Sequence, residues 1–415
     1  PAVAWLQVLA VRPAGMDVDA DVADLTRELV TIPSHESEAA AGDYIEEWLR
    51  EHTDATVTRD DAGADEGRGG NVIARKGTGD TALALVGHHD VVPPDDSQVT
   101  DDGSYVVEER EEDGDRRLYG RGSADMKGAV AAAMLAFRDT EVAETADDRV
   151  TSGGVDPVDE LVFASFVGEE VGGVGARYAI DEGFAPEYAV VGEGSTGYSA
   201  PGVTDVAVAH KGRRGSTIVA EGRAAHASEP EAGENAIYRV TDAIDVVRDF
   251  EFPETDVMGH RVTGSIAVTE IEGGSAWNVV PERCTATVDE RTVPGERVDT
   301  DAVTDLAGVT WTVDQDLPPM RCDDAAFADA VLAAARDAHE LGESGRDRND
   351  AAFDGEPRHV VKPHATDAGW LAGAGTTCVV CGPAQPGEAH TATESVSLGV
   401  LERCYETYRG VTERV

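Results

Sequence analysis

At 415 residues the chain is too long for one ordinary hydrophobic core, so two domains are expected, with ample length to bury both. Its 81 Asp and Glu against 34 Lys and Arg give a formal net charge of −47, which disfavours nucleic acid and anionic membranes as partners because both are polyanions. A hydrophobic fraction of 41% in periodic blocks argues against disorder, and no stretch approaches the ~20 apolar residues of a membrane span.

Residues 1–15 are apolar, lack the charged start of a signal peptide and read as an extension, with a conventional domain start at Met16. Residues 22–30 and 37–50 carry apolar residues at helical spacing, separated by Pro33 and Ser34. Residues 71–75 and 81–86 are short apolar runs, the second continuous enough for a strand covered on both faces. Residues 95–117 are acidic and punctuated by glycine, as in a loop or surface hairpin. An Ala-rich helix is predicted over 126–138, with Asp125 at its start, where free N–H groups and the helix dipole favour a carboxylate. A strand over 161–167, a helix over 176–182 and a strand over 188–191 continue the alternation that a parallel sheet demands.

From residue 212 the texture changes. Strand-like alternation at 216–220, an amphipathic helix over 235–250, alternation at 265–271 and 283–289, a short helix over 300–306 and a strand over 309–313 follow in turn. This βαββαβ order describes a ferredoxin-like α+β domain. It reads as an insertion, because helix resumes over 327–339 and a buried strand over 376–381; residues 346–356 are polar and loop-like. The expected division is an extension at 1–15, a larger α/β domain in two parts at 16–211 and 318–415, and the inserted domain at 212–317.

Five carboxylate and imidazole clusters each follow an apolar run: Gly-His-His-Asp at 87–90, Asp-Met-Lys-Gly at 125–128, Gly-Glu-Glu at 168–170, Gly-Glu-Gly-Ser at 192–195 and Ala-His-Thr at 389–391. Any one Glu-Glu pair in so acidic a chain is more often a solvated surface. Histidine is scarcer, 11 in all, so His88 and His390 weigh more, with His89 a bystander. Recurrence at successive strand ends points to one crevice, since ligands bind at the carboxyl ends of strands in open α/β sheets. Brought together, His88, Asp125, Glu170, Glu193 and His390 would hold two divalent cations. Asp125 is the natural bridge, with His88 and Glu193 on one cation and Glu170 and His390 on the other. Such ligands suit Zn²⁺, with Co²⁺ and Mn²⁺ as alternatives, and sites not closed by four protein ligands are catalytic. Glu169 is the candidate general base and later acid, and Asp90 would orient the His88 imidazole.

With these motifs the chain resembles the dinuclear-zinc aminoacylase and carboxypeptidase family that includes acetylornithine deacetylase, succinyl-diaminopimelate desuccinylase and glutamate carboxypeptidase. The matching stretches are residues 87–93, 120–128 and 168–170, and the resemblance covers roughly 22–409. It implies a zinc-peptidase-like catalytic domain with a mixed, largely parallel sheet between helices, and an inserted lid that also dimerises. It further implies that Glu193 and His390 are ligands and that the Asp125–Met126 peptide is cis. His226, in Ala-Ala-His-Ala-Ser, resembles the lid histidine that reaches across a dimer to the oxyanion. Asn278 resembles a neighbouring substrate contact, and Arg291 the arginine that pairs with the substrate carboxylate. One departure is Thr366-Asp367-Ala368-Gly369, where many relatives carry an arginine in the last position; Arg213 or Arg214 would have to substitute.

The expected activity is therefore metal-dependent hydrolysis of the amide of an N-acyl amino acid by activated water. Carboxypeptidase or dipeptidase action on short peptides is the alternative, and a metal-binding protein without turnover the non-enzymatic one. Five scattered cysteines do not suggest a disulfide framework, and Cys378 and Cys381 lie in an apolar run, so buried strand thiols are expected. Lysine occurs only at Lys76, Lys127, Lys211 and Lys362, which fits a salt-adapted cytoplasmic protein. Self-repulsion at low ionic strength is screened near 1 M salt, where the Debye length is ~3 Å. The melting temperature should accordingly rise from dilute buffer to molar KCl; an unchanged value would contradict this reading of the charge.

Overall fold

The computed structural model describes residues 18–79, 81–142, 158–345 and 355–415; the expected extension at 1–15 and most of the loop expected at 346–356 lie outside them. A nine-stranded mixed sheet runs in the order Thr56–Arg59, Val72–Gly77, Glu160–Phe166, Ala82–His88, Tyr188–Val191, Thr377–Val380, Val206–His210, Met320–Arg321, with His359–Lys362 also paired to Val206–His210. The four strands from Glu160–Phe166 to Thr377–Val380 are neighbours and mutually parallel, and antiparallel strands flank them.

The continuous apolar runs follow from burial on both faces. Leu83 and Leu85 face one core, together with Phe163, Val190 and the helices Val18–Thr31, Ala39–His52, Gly128–Asp139, Ala325–Gly345 and Leu398–Thr412. Ala82, Ala84 and Val86 face the other, with Val162, Ala164, Ala189 and the shorter helices Val174–Asp181 and Ala368–Gly373. Alternation by twos thus sends successive residues to opposite cores while the run reads as uniformly apolar. All five cysteines are buried free thiols.

A separate antiparallel sheet has the order Ser265–Gly273, Arg283–Thr292, Gly212–Glu221, Val309–Leu317, with helices Ala236–Arg248 and Asp301–Thr304 packed over Ile218, Ala220, Val288 and Val309. In chain order its strands lie second, third, first, fourth, the split β-α-β arrangement expected from the pattern. The hairpin Glu254–Val257 and His260–Thr263 was not foreseen; its Val257 and Val262 join the large core. Among the described residues no helix is long and apolar enough to cross a membrane.

One expectation needs correction. The helix expected from residue 126 starts at Gly128, and Asp125 sits before it in the non-helical turn Ser123–Lys127, so the helix dipole does not hold its carboxylate. The acidic stretch 95–117 contains the surface hairpin that its composition allowed, Glu108–Glu112 with Asp115–Tyr119, extended by Ser395–Ser397 into a three-stranded sheet.

Strand Val206–His210 ends on a fully buried imidazole whose ring nitrogens lie 3.1 Å from the Lys211 carbonyl and 3.1 Å from Thr366 Oγ1. Burial pushes its pKa down to about 4. An unfolded imidazole titrates near ~6.5, so between the two values the unfolded chain binds more protons and this group destabilises the fold as the pH falls. His210→Gln should gain on the wild type by about 1 to 3 kcal/mol between pH 7 and pH 4, read as the difference between their melting curves in high salt. A pH-independent difference would contradict it.

Candidate metal centre

The four parallel strands deliver four of the motifs to one edge of the sheet. His88 ends Ala82–His88, Glu169 and Glu170 follow Glu160–Phe166, Glu193 follows Tyr188–Val191, and the segment after Thr377–Val380 leads to His390. Asp125 arrives from above, and the side chain of Met126 packs down on the strand ends. A Cβ on Gly87 would meet Met126 Cε at 2.9 Å and one on Gly192 would meet it at 3.0 Å, which is why glycine precedes both His88 and Glu193. The Asp125–Met126 peptide is cis.

Asp125 lies between the two imidazoles. Its Oδ1 is 3.2 Å from His88 Nε2 and its Oδ2 is 3.1 Å from His390 Nε2. Glu193 Oε1 is 3.5 Å from His88 Nε2, and Glu170 Oε1 is 2.9 Å from His390 Nε2. One oxygen or nitrogen from each of His88, Asp125 and Glu193 lies within 4.8 Å of the others, and the same holds for Asp125, Glu170 and His390, and for His88, Glu169 and Glu170. His88 Nδ1 is 3.0 Å from the Asp90 carbonyl oxygen, so with Nδ1–H donating there, Nε2 is the atom turned to the cluster.

Electrostatics show what the cluster would attract. Four carboxylates from Asp125, Glu169, Glu170 and Glu193 share a small, largely desolvated space, an arrangement that is costly without positive charge among them. Burial alone would lower His88, but its bonds to Asp125, Asp90 and Glu193 hold it well above the usual imidazole range. Hydrogen bonds to Asp125 and then Glu170 push His390 up to about 10. Glu169 keeps partial solvent contact, yet the groups packed around its carboxyl, and then the Glu193 charge, drive its pKa well up. Mixed N and O donors, crowded anions and imidazoles drawn toward protonation are the chemistry of a divalent-cation site, so the residues present fit two such ions.

Asp90 does more than its position beside His88 suggested. Its Oδ1 accepts from the Glu169 backbone N–H at 3.1 Å and its Oδ2 from that of Glu170 at 3.0 Å, fixing the turn that carries both glutamates. His89 is buried with Nδ1 2.8 Å from Ser165 Oγ, outside the cluster. Two basic groups escaped the sequence reading. Lys362 Nζ donates to Glu193 Oε2 at 3.1 Å, and it lines a cleft of about 360 Å³ with Tyr198 and His364, beside Asp125, Glu169, Glu170, Glu193 and His390. Lys362 being one of so few lysines was the available signal.

The residues assigned to the inserted domain are not brought into this cleft. His226 and Asn278 are neighbours, since Ala225–His226 pairs with Val279–Val280 and the Ala227 N–H donates to the Asn278 carbonyl; His226 Nδ1 bonds Ser228 Oγ at 2.7 Å. Arg291 makes a forked contact with Asp289 at 2.7 and 3.3 Å, close enough to the cleft for its charge to act on His364. Arg213 bonds the same Asp289 at 2.9 Å and Arg214 lies 3.4 Å from Glu290, so both suggested substitutes already have acidic partners.

The sequence pattern of Peptidase family M20/M25/M40 matches residues 84–414, which include every residue placed in the cluster. The chain belongs to that family. A curated relative, acetylornithine deacetylase of Klebsiella pneumoniae (strain 342), is 31% identical over 233 residues, 54% of this chain and 54% of the relative, so the match spans about half the relative's length. Among solved structures, an aminopeptidase from Bacillus cereus superposes with a TM-score of 0.71 at 20% identity, covering 96% of this chain and 99% of that one. Human carnosine dipeptidase 1 superposes with a TM-score of 0.63 at 16% identity, covering 96% and 97%. At these identities the likeness concerns the fold alone.

Proposed function

We propose that the protein is a metal-dependent hydrolase that cleaves the amide bond of N-acyl amino acids. The observation that carries the proposal is the placement of Asp125 between His88 and His390 with Glu169 alongside. In this reading His88, Asp125 and Glu193 would hold one divalent cation and Asp125, Glu170 and His390 the other, with Zn²⁺ as the metal that suits these donors and Co²⁺ or Mn²⁺ as functional substitutes. When bound, such a pair lowers the pKa of a water toward neutrality and polarises the substrate carbonyl.

The protein's own residues do the rest. Glu169, held by Asp90 through its backbone, takes the proton of the attacking water and returns it to the departing amine. Asp90 fixes the His88 ring, and Lys362 anchors the outer oxygen of Glu193. Arg291 binds the substrate carboxylate by exchanging its Asp289 contact for the ligand.

Residues 212–317 act as a lid over a catalytic domain formed by 16–211 and 318–415. His226 and Asn278 lie outside this chain's cleft and beside Trp277, which is 98% exposed, so they serve the oxyanion and substrate in a second copy of a homodimer. The name of the Klebsiella relative favours deacylation, and the same chemistry would cleave a dipeptide or the C-terminal bond of a short peptide. A substrate panel of acetylornithine, succinyl-diaminopimelate, other N-acetyl amino acids and dipeptides, run with Co²⁺ in molar KCl, should show the highest kcat/KM on an N-acyl amino acid. Activity confined to dipeptides would move the assignment to a peptidase, and none on any member would contradict the hydrolase.

A further inference from the structure

We infer that Glu394, which no motif above contains, is a positioning residue that sets the orientation of the shared carboxylate of Asp125; the inference rests on the two-cation reading of the site. Glu394 is one of 81 acids in the chain, yet its side chain is fully buried and wholly committed. Its Oε1 accepts three backbone N–H groups, from Gly122 at 2.9 Å, Ala124 at 3.1 Å and Asp125 at 3.1 Å. Its Oε2 pairs with the buried guanidinium of Arg121. The turn that carries Asp125 is therefore wrapped around a carboxylate supplied from 269 residues away.

Its backbone ties the same two segments. The Gly120 N–H donates to the Glu394 carbonyl at 3.0 Å, and the Glu394 N–H donates to the Thr391 carbonyl at 3.3 Å. Immediately beyond, Ser395–Ser397 pairs antiparallel with Asp115–Tyr119, Ser395 opposite Tyr119. The Asp125 turn and the His390 turn thus leave one short ladder side by side, and Glu394 sits at the fork. Two candidate ligands from distant parts of the chain share one rigid support. That support compensates for the absence of a helix terminus: Asp125 lies before the first turn of Gly128–Asp139, and its backbone amide is held by an anion rather than by helical bonds.

Only a side chain of glutamate length with an acceptor oxygen meets these demands. Alanine would strand three buried N–H groups and the Arg121 charge, whereas glutamine keeps an acceptor and loses the charge. Aspartate keeps the charge and falls short of the three amides.

The test compares wild-type protein with E394A, E394Q and E394D in molar KCl, reading Zn²⁺ affinity by chelator competition, kcat and KM on the best N-acetyl amino acid, and melting temperature. Partners that orient metal ligands typically cost 10- to 100-fold when removed. E394A should weaken Zn²⁺ binding at least about 10-fold and lower kcat about 100-fold at saturating metal, with KM within threefold; E394Q should recover most of both losses. A folded E394A with Zn²⁺ affinity and kcat within twofold of wild type, whatever its melting temperature, overturns the proposal, as does a folded E394Q as impaired as E394A. If E394A does not fold, E394D decides: a loss of about 10-fold or more supports the proposal and values within twofold of wild type overturn it. A wild-type protein that takes up no Zn²⁺ overturns the two-cation reading itself, and this inference with it.

Discussion

Glu169→Gln is expected to bind both cations as the wild type does and to lose turnover by about 10²- to 10⁴-fold, the usual worth of a general acid–base group. The structure separates Glu169 from Glu170 beside it. Asp90 grips the two successive backbone amides, and the Glu170 carboxylate meets His390 while Glu169 faces His88 and the cleft. Glutamine fills the same volume and cannot take a proton from water, so kcat should fall with KM nearly unchanged, the signature of an interaction used in the transition state. Steady-state kinetics with elemental analysis of the same samples makes the comparison. Near-normal kcat refutes the assigned role, and loss of one cation would recast Glu169 as a ligand.

Asp125→Ala should empty both cation sites at once. Asp125 contributes to two of the three-residue donor sets, so its removal leaves His88 with Glu193 on one side and Glu170 with His390 on the other, two donors each. Removing His390 instead should empty one site and spare the other. Loss of polarisation and of the activated water together removes several kcal/mol from the transition state, so activity should drop by about 10³-fold or more. Metal content per chain after dialysis is the direct readout: near zero for Asp125→Ala and near one for His390→Ala. Two cations retained by Asp125→Ala would show that the carboxylate is not shared.

The centre of the sheet was legible because its strands are short, bounded by Gly and Asp, and apolar throughout, a pattern that burial on both faces imposes. His88, Glu170 and Glu193 stood out because each lies at or just past the end of such a run, whereas Asp125 sits in a turn and His390 ten positions beyond Thr377–Val380, so their motifs rather than strand ends marked them. What escaped notice was short or held from afar. Met320–Arg321 and His359–Lys362 are too brief for any periodicity to show, and they exist because Val206–His210 offers them an edge. The helix Leu398–Thr412 was open to prediction, since Leu398, Leu401, Tyr405, Tyr408 and Val411 recur at helical spacing.

The misplaced start of the helix after Asp125 has a specific cause. Residues 123–127 lack any local breaker, and the turn there is stabilised by Glu394, a partner that sequence proximity cannot disclose. Glu394 itself was hidden by composition, because one acid among so many carries no signal. Lys362 illustrates the reverse: in a chain nearly devoid of lysine, a lysine beside a candidate ligand stands out once its strand is placed. His226 and Asn278 do not line this chain's cleft, so only their proposed roles in a second copy connect them with it.

The most direct test of the account is anomalous diffraction at the absorption edge of whichever metal the native protein takes up. Two peaks are predicted, one among His88, Asp125 and Glu193 and the other among Asp125, Glu170 and His390, each in contact with a different oxygen of Asp125. A single peak, or peaks that leave Asp125 uncoordinated, would contradict it.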